Sequence, residues 1–161
     1  MIEYCVGQSG QSILFTKYVL QYVSLHRQLG SRTSEAGGQP FAQLNSDKII
    51  VEKATGPRPQ DRRTRFSYFP HRPSEQEEIF CFHTQGLHYV GDWHTHPQRI
   101  PTPSSDDFDS MSELFRKSEH SLNAFILMIV GQTSPPTGLH VSLHNSEGGY
   151  VLQSKIAEEI I

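Results

Sequence analysis

Two histidines one residue apart, with a serine and an aspartate at fixed distances behind them, constrain this chain more than any other feature. His94-Thr95-His96-Pro97 is followed by Ser104 and Asp107, so the pattern is His-x-His, seven residues, Ser, two residues, Asp. Successive side chains of a strand point to opposite faces, so His94 and His96 at a strand end turn both imidazoles toward one point. Pro97 ends the strand, and the residues after it leave room for the chain to turn back. Pro103-Ser104-Ser105-Asp106-Asp107 reads as a helix start, whose first-turn carboxylate reaches the same point. Two imidazoles and a carboxylate are the groups that hold zinc and leave a fourth position for water. From this composition, a chance match at that spacing arises in roughly one such chain in several hundred. On geometry alone Asp106 and Asp109 serve as well as Asp107. Zinc bound in this way lowers the pKa of its water toward ~7, so the pattern implies hydrolytic chemistry.

The rest of the composition narrows the class. The 161 residues fit one domain, 1–161, with a real core. Seventeen acidic residues against 14 Lys and Arg argue against a nucleic-acid binder, which would be basic. Cys5 and Cys81 are too few for a disulfide-stapled fold and read as reduced thiols of a cytoplasmic protein. No signal peptide or membrane span is visible, and Ala124 to Val130, the longest apolar run, has the length of a buried strand.

Periodicity predicts strands over Ile2–Val6, Ser12–Thr16, Lys48–Ala54, His88–His96, Asn123–Val130, Leu139–His144 and Gly149–Gln153. Helices are expected over Lys17–Leu29, Ser74–Thr84 and from Ser104 to about Glu119, with a short tail helix over Ser154–Ile161. Ala36–Leu44 is ambiguous, because Gly37, Gly38 and Pro40 weaken a strand. Thr55–Ser74, with four prolines and five arginines, reads as a long loop with an extended piece at Phe66–Phe69. The irregular alternation of strand pairs and helices makes this a three-layer mixed α+β fold, with a central, mostly antiparallel sheet flanked by helices.

A zinc-bound water also needs a proton acceptor. The carboxylates upstream are Glu3, Glu35, Glu52, Glu75, Glu77 and Glu78. Glu75 to Glu78 look like a solvated helix start and Glu52 like a surface strand residue. Glu35 precedes Ala36-Gly37-Gly38, small residues that let backbone or substrate approach closely. Ser104 is either a helix N-cap or a hydroxyl aimed at the developing oxyanion, where one donor is worth ~3 kcal/mol of barrier. His26, His71, His83, His88, His120, His140 and His144 read as surface or core-edge residues, with His140, Ser142 and His144 on an exposed strand face. Trp93 should point away from the ligands into the core, and Tyr89 and Phe82 read as core too. The arginines from Arg58 to Arg72 form either a solvated loop or a patch for an acidic partner.

These residues resemble the JAMM (JAB/MPN+) metalloprotease family, especially its small prokaryotic members. The family carries an upstream Glu, then His-x-His, seven residues, Ser, two residues, Asp, and this chain is similar with Glu35, His94, His96, Ser104 and Asp107. The order of elements along most of the chain is similar as well, although only Asp92 to Asp107 is highly specific. Gln39-Pro40-Phe41 departs from the apolar strand that often follows the family's glycines.

The resemblance implies a JAB/MPN, cytidine-deaminase-like architecture, with zinc on His94, His96 and Asp107. Glu35 would be the general acid/base, and Ser104 would steady the tetrahedral intermediate. It further implies cleavage of peptide or isopeptide bonds after the extended C-terminal tail of a ubiquitin-like modifier, or of a protein conjugated in a ubiquitin-like manner. In anti-phage CBASS operons such peptidases release a nucleotidyltransferase from its conjugates. Maturation of a sulfur-carrier-like protein and a non-catalytic MPN scaffold are the alternatives. Neither a nucleic acid nor a membrane is an expected partner.

Overall fold

A computed structural model describes residues 1–155. The chain begins with β1 (Ile2–Cys5) and β2 (Ser12–Phe15), an antiparallel pair with Ile2 opposite Phe15. Thr16 caps α1 (Lys17–Ser24) by accepting a hydrogen bond from the Val19 amide, and Val19 and Val23, one turn apart, are buried. The helix ends before the expected Leu29, because Leu25 and Leu29 face solvent and add nothing to its apolar stripe.

Then follow β3 (Gly37–Gly38), β4 (Pro40–Leu44), β5 (Lys48–Ala54), β6 (Arg62–Thr64), β7 (Ser67–Phe69), α2 (Arg72–His83), β8 (His88–Tyr89) and β9 (Gly91–Thr95). The last elements are α3 (Ser105–Lys117), β10 (Phe125–Val130), β11 (Leu139–Asn145) and β12 (Gly148–Val151). The expected tail helix over Ser154–Ile161 falls almost wholly outside the described residues; at its start Ser154 forms an isolated bridge to Tyr4.

The fold is the mixed α+β arrangement expected, with its strands divided between two five-stranded sheets. One runs β1-β2-β5-β4-β8, the other β12-β11-β10-β9-β3, and β6 pairs with β7 in a separate hairpin. Among the described strands only β2/β5 and β9/β10 pair in parallel. Two segments leave one sheet and enter the other. The ambiguous stretch after Glu35 is two strands, β3 and β4, that change sheets at Gln39. The single strand expected over His88–His96 is also two, β8 and β9, changing at Val90. The crossings touch, since the Val90 amide donates to the Pro40 carbonyl at 3.3 Å. Gly91 and Gly38 make these corners possible. A Cβ on Gly91, where φ is 152°, would lie 1.8 Å from the Ile126 carbonyl oxygen; one on Gly38 would lie 1.7 Å from that of Thr55.

The larger core fills the space between the sheets and under α1, with Ile13, Phe15 and Val51 on one side and Trp93, Ile126 and Met128 on the other. A second core, of Met111, Phe125, Leu127 and Ile129, joins β10 to α3. Phe125-Ile-Leu-Met-Ile-Val130 is buried at every position because both faces of β10 are covered. Phe82 stacks on the buried Phe41 with ring centroids 4.4 Å apart. No helix among the described residues is long and apolar enough to cross a membrane.

Candidate metal centre

His94 lies on β9 in register with Ile129 of the parallel β10, and His96 follows the strand end, where its amide donates to Val130 at 3.0 Å. Thr95 between them is buried on the other side. The two Nε2 atoms are 3.1 Å apart. Asp107 comes to them from the first turn of α3. Its Oδ1 is 3.2 Å from His94 Nε2, and its Oδ2 is 3.3 Å from His96 Nε2. Tetrahedral zinc with bonds of ~2.0 Å spaces its ligand atoms ~3.3 Å apart, a spacing close to that between the two imidazole nitrogens and between each of them and one Asp107 oxygen. The ring orientation agrees. Gln98 Oε1 already accepts from the Thr102 amide at 3.0 Å, so its 3.2 Å contact with His96 takes a proton from Nδ1. That leaves the Nε2 lone pair free for a cation, with the carboxamide as its outer support. The residues therefore fit zinc.

Asp107 has a second duty. The Ser104 hydroxyl accepts from the Asp107 amide at 3.1 Å, and Asp107 Oδ2 accepts from the Ser104 amide at 2.8 Å, closing a capping box. The cap uses the Ser104 oxygen as acceptor and leaves its proton available. Burial pushes the Asp107 carboxyl up, but the two imidazoles and the Ser104 amide outweigh it and hold the carboxyl far below the usual range. Burial pulls His96 down, and the Asp107 carboxylate more than reverses this.

Glu35 reaches the same place from the loop before β3. One of its carboxylate oxygens and one nitrogen of each of His94 and His96 lie within 4.8 Å of one another. The residue is buried, and desolvation raises its pKa against the pull of the two histidines. All five residues singled out by sequence meet at the end of β9, with Glu35, His94 and Asp107 lining one cavity of about 240 Å³. Arg72, Glu75 and Ser110 line both this cavity and a groove of about 1100 Å³ between α2 and α3.

Several expectations need correction. Glu75 is not solvated: it is 4% exposed, its carboxylate takes Arg72 at 2.7 Å, and burial with the nearby Asp92 charge pushes its pKa up to about 7. Glu78 pairs with the buried Arg58. The arginine segment is not a free patch. Arg58 is held by Glu78 and Asp61, Arg63 and Arg65 donate to the Glu35 and Gly30 carbonyls, and β6 and β7 replace the expected loop. The expected exposed face of β11 is closed. Ser142 and His144 are fully buried, and a chain of hydrogen bonds runs from His140 to Ser142 (2.9 Å) and on to His144 (2.7 Å). Burial lowers the pKa of each of these histidines to about 4. Cys5 and Cys81 are exposed free thiols.

Residues that sequence reasoning passed over surround the site. Asp92 lines the cavity and accepts from the Tyr89 hydroxyl at 3.0 Å. The signal was present, because Asp92 stands two before His94 on the same strand and therefore on the same face. Gln28 and Gln98 had no such signal.

The family of prokaryotic homologs of the JAB domain matches residues 22–143. A protein of Pseudomonas aeruginosa named CD-NTase/cGAS isopeptidase is 30% identical over 124 residues, 74% of this chain and 77% of that one. Another so named, from Enterobacter hormaechei, is 44% identical over 107 residues, 64% of this chain and 58% of that one. Among solved structures, a protein of Desulfitobacterium hafniense superposes with a TM-score of 0.61 at 20% identity, covering 86% of this chain and 88% of that one. One from Salinibacter ruber gives 0.51 at 16%, covering 91% and 93%. The structural likenesses speak to the fold, and with the sequence match they lead to one statement: the chain belongs to the prokaryotic JAB family.

Proposed function

We propose that this chain is a zinc-dependent isopeptidase, one JAB/MPN+ domain, that releases a nucleotidyltransferase from proteins to which its C-terminal tail is conjugated, as in CBASS anti-phage defence. The observation that carries this is the meeting of His94 and His96 with the Asp107 carboxylate, whose two oxygens each lie near one imidazole nitrogen, and with the buried Glu35 carboxylate beside them. The relatives named CD-NTase/cGAS isopeptidase support the substrate class.

Zinc in this site would supply a water whose pKa is lowered toward ~7 and a Lewis acid for the scissile carbonyl. The chain's own residues do the rest. His94, His96 and Asp107 would hold the ion, and the capping box fixes the Asp107 carboxylate. Glu35, desolvated and therefore more basic than an exposed glutamate, accepts the proton of the attacking water and returns it to the leaving amine. The Ser104 hydroxyl, with its proton uncommitted, donates to the developing oxyanion. Side-chain exposures of 13, 15 and 16% at His94, His96 and Asp107 leave the centre reachable yet largely shielded from water.

The test uses the purified chain and a nucleotidyltransferase joined through its terminal carboxyl to a lysine side chain. Wild type should hold one zinc and cleave the isopeptide bond. His96→Ala should lose both, and Glu35→Ala should keep zinc while hydrolysis falls by about 10²- to 10⁴-fold. Full activity in Glu35→Ala, or a wild type without zinc, would overturn the reading.

A further inference from the structure

Glu35 belongs to no helix or strand, yet its backbone amide and carbonyl and those of Ala36 are all hydrogen-bonded. On one side the β6–β7 hairpin grips it: the Glu35 amide donates to Thr64 at 2.7 Å, and its carbonyl accepts from Arg63 Nε at 2.7 Å. On the other side β9 grips Ala36: the Ala36 amide donates to Thr95 Oγ1 at 2.9 Å, and its carbonyl accepts from the Thr95 amide at 2.8 Å. Thr95 is the residue between His94 and His96, so the strand that presents the imidazoles also fixes the backbone next to Glu35.

One fully buried side chain ties these grips together. Gln28 Oε1 accepts from Thr95 Oγ1 at 2.8 Å, while its Nε2 donates to the Arg65 carbonyl at 2.8 Å and the Thr33 carbonyl at 3.0 Å. A buried carboxamide is unfavourable unless its hydrogen bonds are made, and here both its nitrogen protons and its oxygen are engaged. Those bonds reach the hairpin turn, the loop before Glu35 and β9.

We infer that Arg63, Thr95 and Gln28 are positioning residues that set where the Glu35 carboxylate stands relative to His94 and His96, which makes the β6–β7 hairpin part of the base's mount. This rests on the reading of Glu35 as general base. The hydrogen bonds hold the backbone and leave the carboxylate itself free for proton transfer. A displacement of ~1 Å at such a group costs about 10²-fold in rate, so loosening the mount should act on turnover more than on substrate binding.

Arg63 is exposed, so Arg63→Ala removes one grip without opening a cavity. Thr95→Val keeps the side-chain shape and deletes the shared hydroxyl, and Thr95→Ser restores it. In Arg63→Ala and Thr95→Val, kcat on the isopeptide conjugate should fall by about 10- to 100-fold, with KM within about threefold and one zinc per chain retained. Thr95→Ser should return to within about threefold of wild type. A second readout needs neither zinc nor turnover. In the metal-free chain, amide hydrogen exchange at Glu35 and Ala36 should quicken about tenfold or more in both loosened variants, while the Phe125–Val130 amides stay unchanged. Unchanged kcat in Arg63→Ala and Thr95→Val beside an active wild type would overturn the inference and leave the isopeptidase reading standing. Unchanged exchange at Glu35 and Ala36 would also overturn it. A zinc-loaded wild type that cleaves no conjugate would instead remove the functional reading.

Discussion

The ligand side and the base side of this centre share one cavity but are held there in opposite ways. His94, His96, Ser104 and Asp107 occupy 14 consecutive residues, and a strand end plus a self-contained capping box bring them together. Glu35 is 59 residues from His94 in sequence and is fixed by a hairpin, by Thr95 and by a glutamine on the segment after α1. The ligand side is local and robust. The base side is a long-range assembly, and each of its bonds depends on another segment being in place. It follows that substitutions should separate metal binding from turnover in one direction only: the base side can fail while zinc stays.

The largest effect should come from breaking the ligand side. Asp107→Ala removes a proposed ligand and half of the capping box together. Zinc should fall below stoichiometric levels and hydrolysis below detection, with about 1 kcal/mol of stability lost from the helix cap. Metal analysis and denaturant melts check this, and retention of tight zinc binding would mean that another carboxylate holds the ion, Glu35 being the one that lies beside both imidazoles.

Next comes the base side. Gly38→Ala would place a methyl 1.7 Å from the Thr55 carbonyl oxygen, a clash with backbone that no rotamer relieves. The loss should be about 3 kcal/mol, and a shift of β3 that relieves the clash moves Glu35. Folded material should bind zinc normally and turn over slowly. A variant as stable and active as the parent would show that the close Gly38–Thr55 approach does not set the position of Glu35.

These two substitutions also mark how far sequence carries. The ligand side was legible because its spacing is short and its geometry follows from strand alternation and helix capping. The strands around it were legible too, since Phe125–Val130 and Lys48–Ala54 carry their own patterns. The sheet changes at Gln39 and Val90 were not, because periodicity describes which face a residue takes and not which sheet its strand joins. Thr55–Ser74 misled because its arginines look solvated one by one. Their partners Glu78, Asp61 and the Glu35 and Gly30 carbonyls lie on segments that only folding brings near. His140 and His144 looked exposed for the same reason: alternation along β11 is real, but the face it creates is closed, with His144 against Phe108 of α3.

The buried His144 gives the third effect, an acid sensitivity. The folded pKa of His144 is about 4, lowered by burial and then by the neighbouring His140, against an unfolded value near 6.5. The unfolded chain therefore binds the extra proton first. Stability is whole above pH ~6.5 and declines as pH falls toward 4, by about 3 kcal/mol for this one imidazole. Denaturant midpoints at pH 7.5 and 4.5 measure the decline, and His144→Gln should flatten it. An unaltered pH dependence in that variant would place the acid sensitivity elsewhere, with His140, whose pKa is also about 4, the next group to replace.

Ser104 gives the smallest effect and the sharpest discrimination between its two duties. As a cap it accepts from the Asp107 amide; in the proposed catalytic role it would donate its proton to the oxyanion. Ser104→Ala ends both roles, and should cost about 1 kcal/mol of stability and about 10²-fold in kcat. Ser104→Asp keeps a cap acceptor but offers no hydroxyl proton at neutral pH. If the hydroxyl matters only through the cap, the aspartate should restore activity along with stability. If it donates to the oxyanion, stability should return while kcat stays low, and zinc content should be unchanged throughout. Recovery of both in Ser104→Asp would reduce Ser104 to a helix cap and leave the developing charge to the metal side of the cavity alone.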